Sequence, residues 1–307
     1  MESVQSLKRR IKSTKNIGQI TKAMELVAAT KMRKSQQVAL DSRPYSFTAL
    51  DLLANLVSIP KLELPLILKT RETKKTLVVI ITSDKGLAGA FNSAVFRTVE
   101  AYLSTADLSV HAFVAVGIKS IKFLERKGIA PVETFVKVGD MTELDEVIPL
   151  ANHATAGFLA GKWDRVIVYS THFRTALRQE VAMRELLPID TNKLKNSVRE
   201  IIPEHGRFAE LHTELEAFMI FKHTEYIIEP SATELLTVLV PHLIQMQFYF
   251  LILEANASEH AARRLAMESA SNNAEDLGSR LTKEFNKSRQ ALITREIIEV
   301  TSGAAAL

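Results

Sequence analysis

Apolar residues in the first 57 positions recur three or four apart: Val4, Leu7 and Ile11, then Ile17, Ile20, Met24 and Val27. That spacing puts them on one stripe of an α-helix, because each residue advances by about 100° around the axis. Short residues fall between them (Ala23, Ala28, Ala29 and Ser35), which leaves room for a second helix to approach closely. Only Gly18 and Pro44 interrupt the run from about residue 3 to 57, and Pro60 and Pro65 close it. At about 1.5 Å per residue the segment makes a rod of roughly 75 Å, too long for one layer of a globular domain.

Further along, the period changes. Leu77–Thr82, Val110–Val116 and Val166–Ser170 are short β-branched apolar runs, suited to strands buried on both faces. Helical patterns separate them at Ala94–Leu103, Ile118–Lys127 and Glu143–Ala160. Strand, helix, strand in that order predicts a mainly parallel, Rossmann-like sheet with right-handed crossovers. Phe218–Ile228 is expected to add a strand or two, and the polar, aperiodic stretch Asp190–Gly206 reads as a mobile surface loop.

From Ala232 to about Val300 the helical period returns, with no glycine except Gly278. Ala274, Leu277, Leu281, Phe285, Ser288 and Leu292 form one stripe, backed by charged residues. These residues give a second rod of roughly 100 Å. Two long helices at opposite ends of a chain, each with a narrow apolar stripe, should pair as an antiparallel coiled coil. The expected fold is α/β in three parts: an N-terminal coiled-coil helix over 1–58, an α/β head over 74–230 and a C-terminal coiled-coil helix over 231–307.

One segment has to be weighed as a membrane span. Leu235–Leu253 carries no formal charge and is nearly long enough to cross a bilayer. It contains Pro241, His242, Gln245 and Gln247, however, and runs without a break into charged sequence. Polar groups there are costly in lipid and easily accommodated under a protein domain, so a buried helix is expected.

Composition changes this picture only in part. The chain is 47% hydrophobic and 24% charged, which fits a soluble globular protein. It has no cysteine, which excludes disulfides, thiolate metal sites and a cysteine nucleophile. Charge is unevenly placed. Residues 1–34 hold Lys8, Arg9, Arg10, Lys12, Lys15, Lys22, Lys31, Arg33 and Lys34 against Glu2 and Glu25, a net +7, while the whole chain is +4 and the remainder therefore −3. Such a stripe seeks an acidic partner: nucleic acid, anionic lipid or an acidic protein surface.

The most motif-like spot is Thr82–Asn92, which follows the first strand and opens a helix. A loop there can cradle phosphate with backbone N–H groups. It is neither GxGxxG nor GxxxxGK[ST], and the alternative is a tight turn in which Gly86 and Gly89 permit unusual φ or close packing. His260 beside Glu259 and His223 near Glu225 show no metal-ligand spacing, and Glu143 and Asp145 fall on a solvated helix face. No GxSxG elbow occurs. No catalytic, cofactor-binding or metal-binding residue is therefore assigned. Two readings compete with a purely mechanical one: a nucleotide-binding α/β protein with coiled-coil arms, and a basic coiled-coil nucleic-acid binder. The basic helix has no aromatic before Tyr45 to stack on bases, which argues against the second.

Five segments together carry a resemblance that pattern reasoning alone does not name: LKRRIKSTKNIGQITKAMELVAATKMRKSQ near the start, ITSDKGLAGAFN after the first strand, YIIEPS, SEHAARRLAMESASNNAEDL, and SRQALITREIIEVTSGAAAL at the end. The chain resembles the gamma subunits of F-type ATP synthases along its whole length, most weakly over residues 120–222. The resemblance implies a central rotor shaft, not a catalyst. It carries c-ring rotation to the beta-subunit catalytic sites in sequence. It implies partners as well: an alpha and beta hexamer, the epsilon subunit docked on the α/β head, and the membrane c-ring. Nucleic acid is not among them, and membrane association comes only through the complex. By position, Lys22, Met24 and Lys31 resemble the part that faces an acidic lever loop of beta. Arg289, Gln290 and Thr294 match positions that engage a beta catch loop. Tyr226 and Glu229 lie in the foot on the c-ring, and Gly303–Leu307 resembles an apolar tip in its sleeve. Arg295 stands where many relatives have Gln or Lys. With no cysteine-bearing insert and no leader before the first helix, the resemblance implies a bacterial protein, peripheral on the cytoplasmic face of the inner membrane.

Overall fold

In the computed structural model, residues 3–41, 43–57, 59–139, 142–189 and 228–305 are described. They form helices α1 (Val4–Asp41) and α2 (Arg43–Val57), strand β1 (Thr76–Ile81), α3 (Phe91–Leu103), β2 (His111–Val116) and α4 (Ile118–Arg126). There follow β3 (Glu133–Phe135), α5 (Leu144–Leu159), β4 (Arg165–Phe173), β5 (Gln179–Leu187) and the 74-residue α6 (Ala232–Ala305). The chain divides into two compact units, residues 29–262 in one and residues 1–28 with 263–307 in the other.

The larger unit is built on a five-stranded sheet of order β3-β2-β1-β4-β5. β1 pairs in parallel with β2 and with β4, and β2 in parallel with β3. β1 is buried at every position, as a central strand covered on both faces must be. Its odd residues Leu77, Val79 and Ile81 face a core with Leu53 and Leu56 of α2, Leu150 and Phe158 of α5, and Phe248 and Ile252 of α6. Its even residues Val78 and Ile80 meet Val95 and Val99 of α3 and Phe123 and Leu124 of α4 on the opposite face. The layers are therefore helix, sheet, helix, as the alternating pattern predicts.

Two strands escape the sequence reading. β3 is three residues long and half-exposed, too short to show a period. β5 returns antiparallel to β4 through a tight turn in which Thr175 and Arg178 exchange backbone hydrogen bonds. Its sequence QEVAMRELL mixes charges with apolar residues because most of the strand is only half-buried. The expected loop at Asp190–Gly206 lies outside the described residues, as does all of the expected strand Phe218–Ile228 except Ile228.

Over the first 57 residues helix is assigned to α1 up to Asp41 and to α2 from Arg43, with residue 42 outside the described residues. At the other end, α6 continues through Pro241 without a break in assignment. The apolar run weighed as a membrane span lies in α6, where residues 246–261 are buried without exception by the sheet and its helices. Length and hydropathy would allow a span there, but the burial makes it the core helix of this unit.

In the smaller unit α1 and α6 pair in antiparallel fashion, with Gly18 opposite Ala274 and Thr14 opposite Gly278. Buried positions fall seven apart on both helices: Leu7, Thr14, Thr21 and Ala28 on α1, and Met267, Ala274 and Leu281 on α6. That is the seam of a coiled coil. The stripe that the sequence suggested on α1 holds at Leu7, which is buried, and in part at the half-buried Val4, Ile11 and Met24, whereas Ile17, Ile20 and Val27 are exposed. Around Gly18 small residues take the seam because they let the backbones close up: a Cβ on Gly18 would touch the Ala274 Cβ at 3.5 Å. On α6 the expected stripe holds at Ala274 and Leu281, whereas Leu277 and Leu292 are exposed.

Candidate functional site

The candidate site is a set of outward-facing helix positions. Their geometry follows from the seam. With small residues turned inward on α1, the large apolar ones on the adjoining stripe are left facing solvent, and Ile20 is 60% exposed. Lys22 stands beside them and its ammonium lies 2.9 and 3.0 Å from the two Glu25 carboxylate oxygens. Glu25 is itself buried in the seam, so the pair ties an outward cation to the helix interface. Lys31 is half-buried and belongs to the larger unit, whereas Lys22 and Met24 belong to the smaller one.

Arg289, Gln290 and Thr294 all lie on the exposed C-terminal stretch of α6. The register that sets Gly18 against Ala274 places Val4, the first residue of α1, level with about residue 288. Beyond that level α6 runs on without α1 beside it. Every residue from 289 to 302 is exposed, among them Leu292, Ile293, Ile297, Ile298 and Val300. Thr294 donates its hydroxyl to the Gln290 carbonyl at 2.9 Å, and both residues are exposed. Contiguous apolar surface of this kind marks a place where another surface docks. By the same register Lys22 and Arg289 stand apart along the helices by about 28 Å, at 1.5 Å per residue. They are two contact regions on one helix pair, not one cluster.

Glu229 is exposed in the short segment that leads into α6. Tyr226 lies outside the described residues.

The loop after β1 is knitted from within. Asp84 accepts the Ile118 and Lys137 amides, one on each carboxylate oxygen, both at 2.9 Å. Lys119 N–H donates to the Ser83 carbonyl, and Ser120 N–H donates to the Thr82 hydroxyl at 2.8 Å. Asn92 and Ser83 bond each other through side chain and backbone. These bonds tie the loop to the start of α4, and at α3, the helix that the loop itself opens, the Phe91 N–H donates to the Ala88 carbonyl, so the segment is a hydrogen-bonded structural turn. Its positive φ values fall at Gly89 and, unforeseen, at Leu87, not at Gly86. Gly117 supplies the close approach: at φ 90° a Cβ there would stand 2.2 Å from the Thr82 carbonyl oxygen.

What sequence reasoning missed is a buried ionic cluster in the larger unit. Glu254 of α6 accepts a hydrogen bond from Arg184 Nη1 of β5 at 2.7 Å, and its other oxygen lies 3.1 Å from His172 Nδ1 of β4. Burial alone would raise the Glu254 carboxyl, but the Arg184 charge and the His172 hydrogen bond outweigh it and hold the group down to about 2. The only signal in the sequence was a charge inside an otherwise apolar helix, which names no partner.

A family model described as ATP synthase matches residues 3–307. Among curated relatives, the chain is similar to the ATP synthase gamma chain of Pelotomaculum thermopropionicum, 37% identical, and that of Moorella thermoacetica, 36% identical, each covered over its whole length by the whole of this chain. The gamma chain of Chloroflexus aurantiacus is 34% identical, with 100% of this chain and 99% of the relative covered. Among solved structures, a chain of the Euglena gracilis mitochondrial ATP synthase shares the fold at a TM-score of 0.63 and 17% identity, covering 99% of this chain and 94% of its own. A chain from the central stalk and c-ring of the Tetrahymena thermophila enzyme gives 0.57 at 24% identity, with 82% and 99% covered.

Proposed function

The chain belongs to the ATP synthase gamma-chain family, and from that premise we propose that it is the central rotor shaft of an F-type, proton-translocating complex. The observation that carries this reading is the inversion on the paired helices. Between residues 14 and 28 of α1 the seam is filled by Thr14, Gly18, Thr21 and Ala28 while Ile17, Ile20, Val27 and Lys22 face outward, and the last stretch of α6 is exposed on all sides. A structural coiled coil buries its large apolar residues, whereas a shaft that must press on neighbours shows them.

On this reading the chain makes and breaks no bond. Alpha and beta subunits surround the exposed end of α6, and three beta sites meet different faces of an asymmetric helix pair. A partner shifts conformations only by touching them unequally, so rotation drives each site through states of different nucleotide affinity. Lys22, Met24 and Lys31 present the basic face that suits an acidic loop of beta. Arg289, Gln290 and Thr294 supply polar contacts nearer the tip, where side chains are free to bond outward. Glu229 and Tyr226 form the foot on the c-ring, and the α/β head carries epsilon. The complex is membrane-associated, and the chain sits peripherally on the cytoplasmic face of a bacterial inner membrane.

The reading is tested by purification from native membranes. Alpha and beta subunits should accompany this chain, and their rapid, cooperative ATP hydrolysis should depend on it. An alpha–beta assembly of undiminished activity without the chain would sink the proposal. For the tip residues, Arg289→Ala with Gln290→Ala should reduce proton pumping per ATP hydrolysed while shifting stability by no more than about 0.5 kcal/mol, the usual range for surface changes. Unchanged coupling in that double variant removes their role.

A further inference from the structure

Residues 246–261 of α6 are buried on every side, and most of what surrounds them is apolar. Among the polar residues of this stretch, Glu254, Asn256 and Ser258 bond outward at alternate positions. Glu254 binds Arg184 and His172, with the three side chains between 3% and 9% exposed. Asn256 donates its side-chain amide to Thr142 Oγ1 at 3.1 Å and to the Gly139 carbonyl. Ser258 donates to the Thr171 carbonyl at 3.4 Å. At about 100° per residue, Ser258 lies only about 40° around the helix from Glu254, whereas Asn256 lies about 160° away on the opposite side. The helix is thus gripped by β4 and β5 from one face and by the segment before α5 from the other.

The grip is a poor way to gain stability. A buried ion pair seldom outperforms an apolar filling of the same volume. Here the same neighbourhood also buries Ser170 Oγ, Thr171 Oγ1 and His172 Nε2 with no hydrogen-bond partner among the described residues. What directional bonds supply, and apolar contact does not, is a fixed angle: the planar Arg184 guanidinium bonds Glu254 through Nη1 and lies 3.1 Å from His172 Nδ1 through Nη2, so the three groups hold one orientation. Two sets of bonds on opposite faces resist rotation of a helix about its own axis.

We propose that Glu254, clamped by Arg184 and His172 and opposed by Asn256, is a positioning residue for torque, fixing the rotational phase of α6 in the α/β unit. α6 runs on past residue 262 into the paired-helix unit, so a load on the head reaches the coupling helix without being spent in twisting it in its socket. This rests on the rotor-shaft reading. It adds the element through which the load passes from the head into the helix.

The test uses the whole complex in membrane vesicles, in which proton pumping and ATP hydrolysis are read on the same sample and the amount of this chain is read on a gel. Glu254→Gln keeps the volume and removes the charge. It should lower pumping per ATP hydrolysed several-fold in vesicles that contain the usual amount of chain, and Asn256→Ala should lower it too. Arg184→Lys, which keeps the charge and loses the fork, should give an intermediate ratio. A merely structural cluster would reduce the amount of assembled complex and leave the ratio unchanged, and that result overturns the proposal. Failure of all three variants to assemble assigns the cluster to folding and also overturns it. The rotor reading fails separately, if the unaltered chain does not accompany alpha and beta or its vesicles do not pump.

Discussion

Single residues set two of the constraints most open to measurement. Glu254 has its carboxyl held down to about 2 against an ordinary 4.5, because the Arg184 charge and the His172 bond outweigh burial. A depressed carboxyl contributes stability above its unfolded value and loses it as pH falls towards the folded one. The chain should therefore weaken between about pH 4.5 and pH 2 beyond what its exposed carboxylates explain. In Glu254→Gln that part of the acid dependence should vanish, and stability at pH 7 should fall by about 3–5 kcal/mol because Arg184 is left buried without its partner. Equal acid titrations of the two chains by circular dichroism would contradict the assignment. Gly157 is the second case. A Cβ there would stand 1.9 Å from the Trp163 indole, whose Nε1 is fixed to the Ala154 carbonyl at 2.8 Å. Alanine in a helix normally gains up to about 1 kcal/mol over glycine, but this overlap costs about 1–3 kcal/mol, so Gly157→Ala should lower the urea midpoint. Neither effect was legible in the sequence. Residues 172, 184 and 254 are far apart along the chain, and no local pattern connects them.

Among the elements, the paired helices show most clearly where pattern reading stops. The three-and-four period of α1 is real, and so is its pairing with α6. The period alone does not choose between two adjacent stripes, however. Apolar character found Leu7, which is in the seam, but then favoured Ile17, Ile20, Met24 and Val27, whereas the seam continues through Thr14, Thr21 and Ala28. The partner decides, because α6 offers Ala274 and Gly278 at that level and two small faces can close up. Substitutions should separate the stripes. Gly18→Ala meets only ordinary contact at 3.5 Å and should be neutral or stabilising by up to about 1 kcal/mol, whereas Gly18→Leu should force the helices apart and lower the thermal midpoint. Ile17→Ala with Ile20→Ala should leave that midpoint nearly unchanged and instead weaken ATP hydrolysis by the assembled complex. A large drop in midpoint for the isoleucine pair would place it in the seam after all.

For the whole molecule the governing quantity is charge distribution: a net +7 over residues 1–34 and −3 over the rest. Such asymmetry steers association with an acidic surface and is screened within about 10 Å at 0.1 M salt. Recombination of the purified chain with alpha and beta subunits should slow steeply as salt is added, and a charge-neutralising change such as Lys22→Gln should flatten that dependence. A rate indifferent to salt would leave the basic helix without its proposed part. The sequence by itself determined the helical and strand periods, the basic end, the parallel sheet and, through five local signatures, the family, since all of these are written in neighbouring residues. Only the tertiary structure decided which stripe of α1 is buried, that β5 closes the sheet antiparallel, and that Glu254 has partners. Those outcomes depend on distant residues meeting, where the shape and charge of the partner, not the local period, select what is buried.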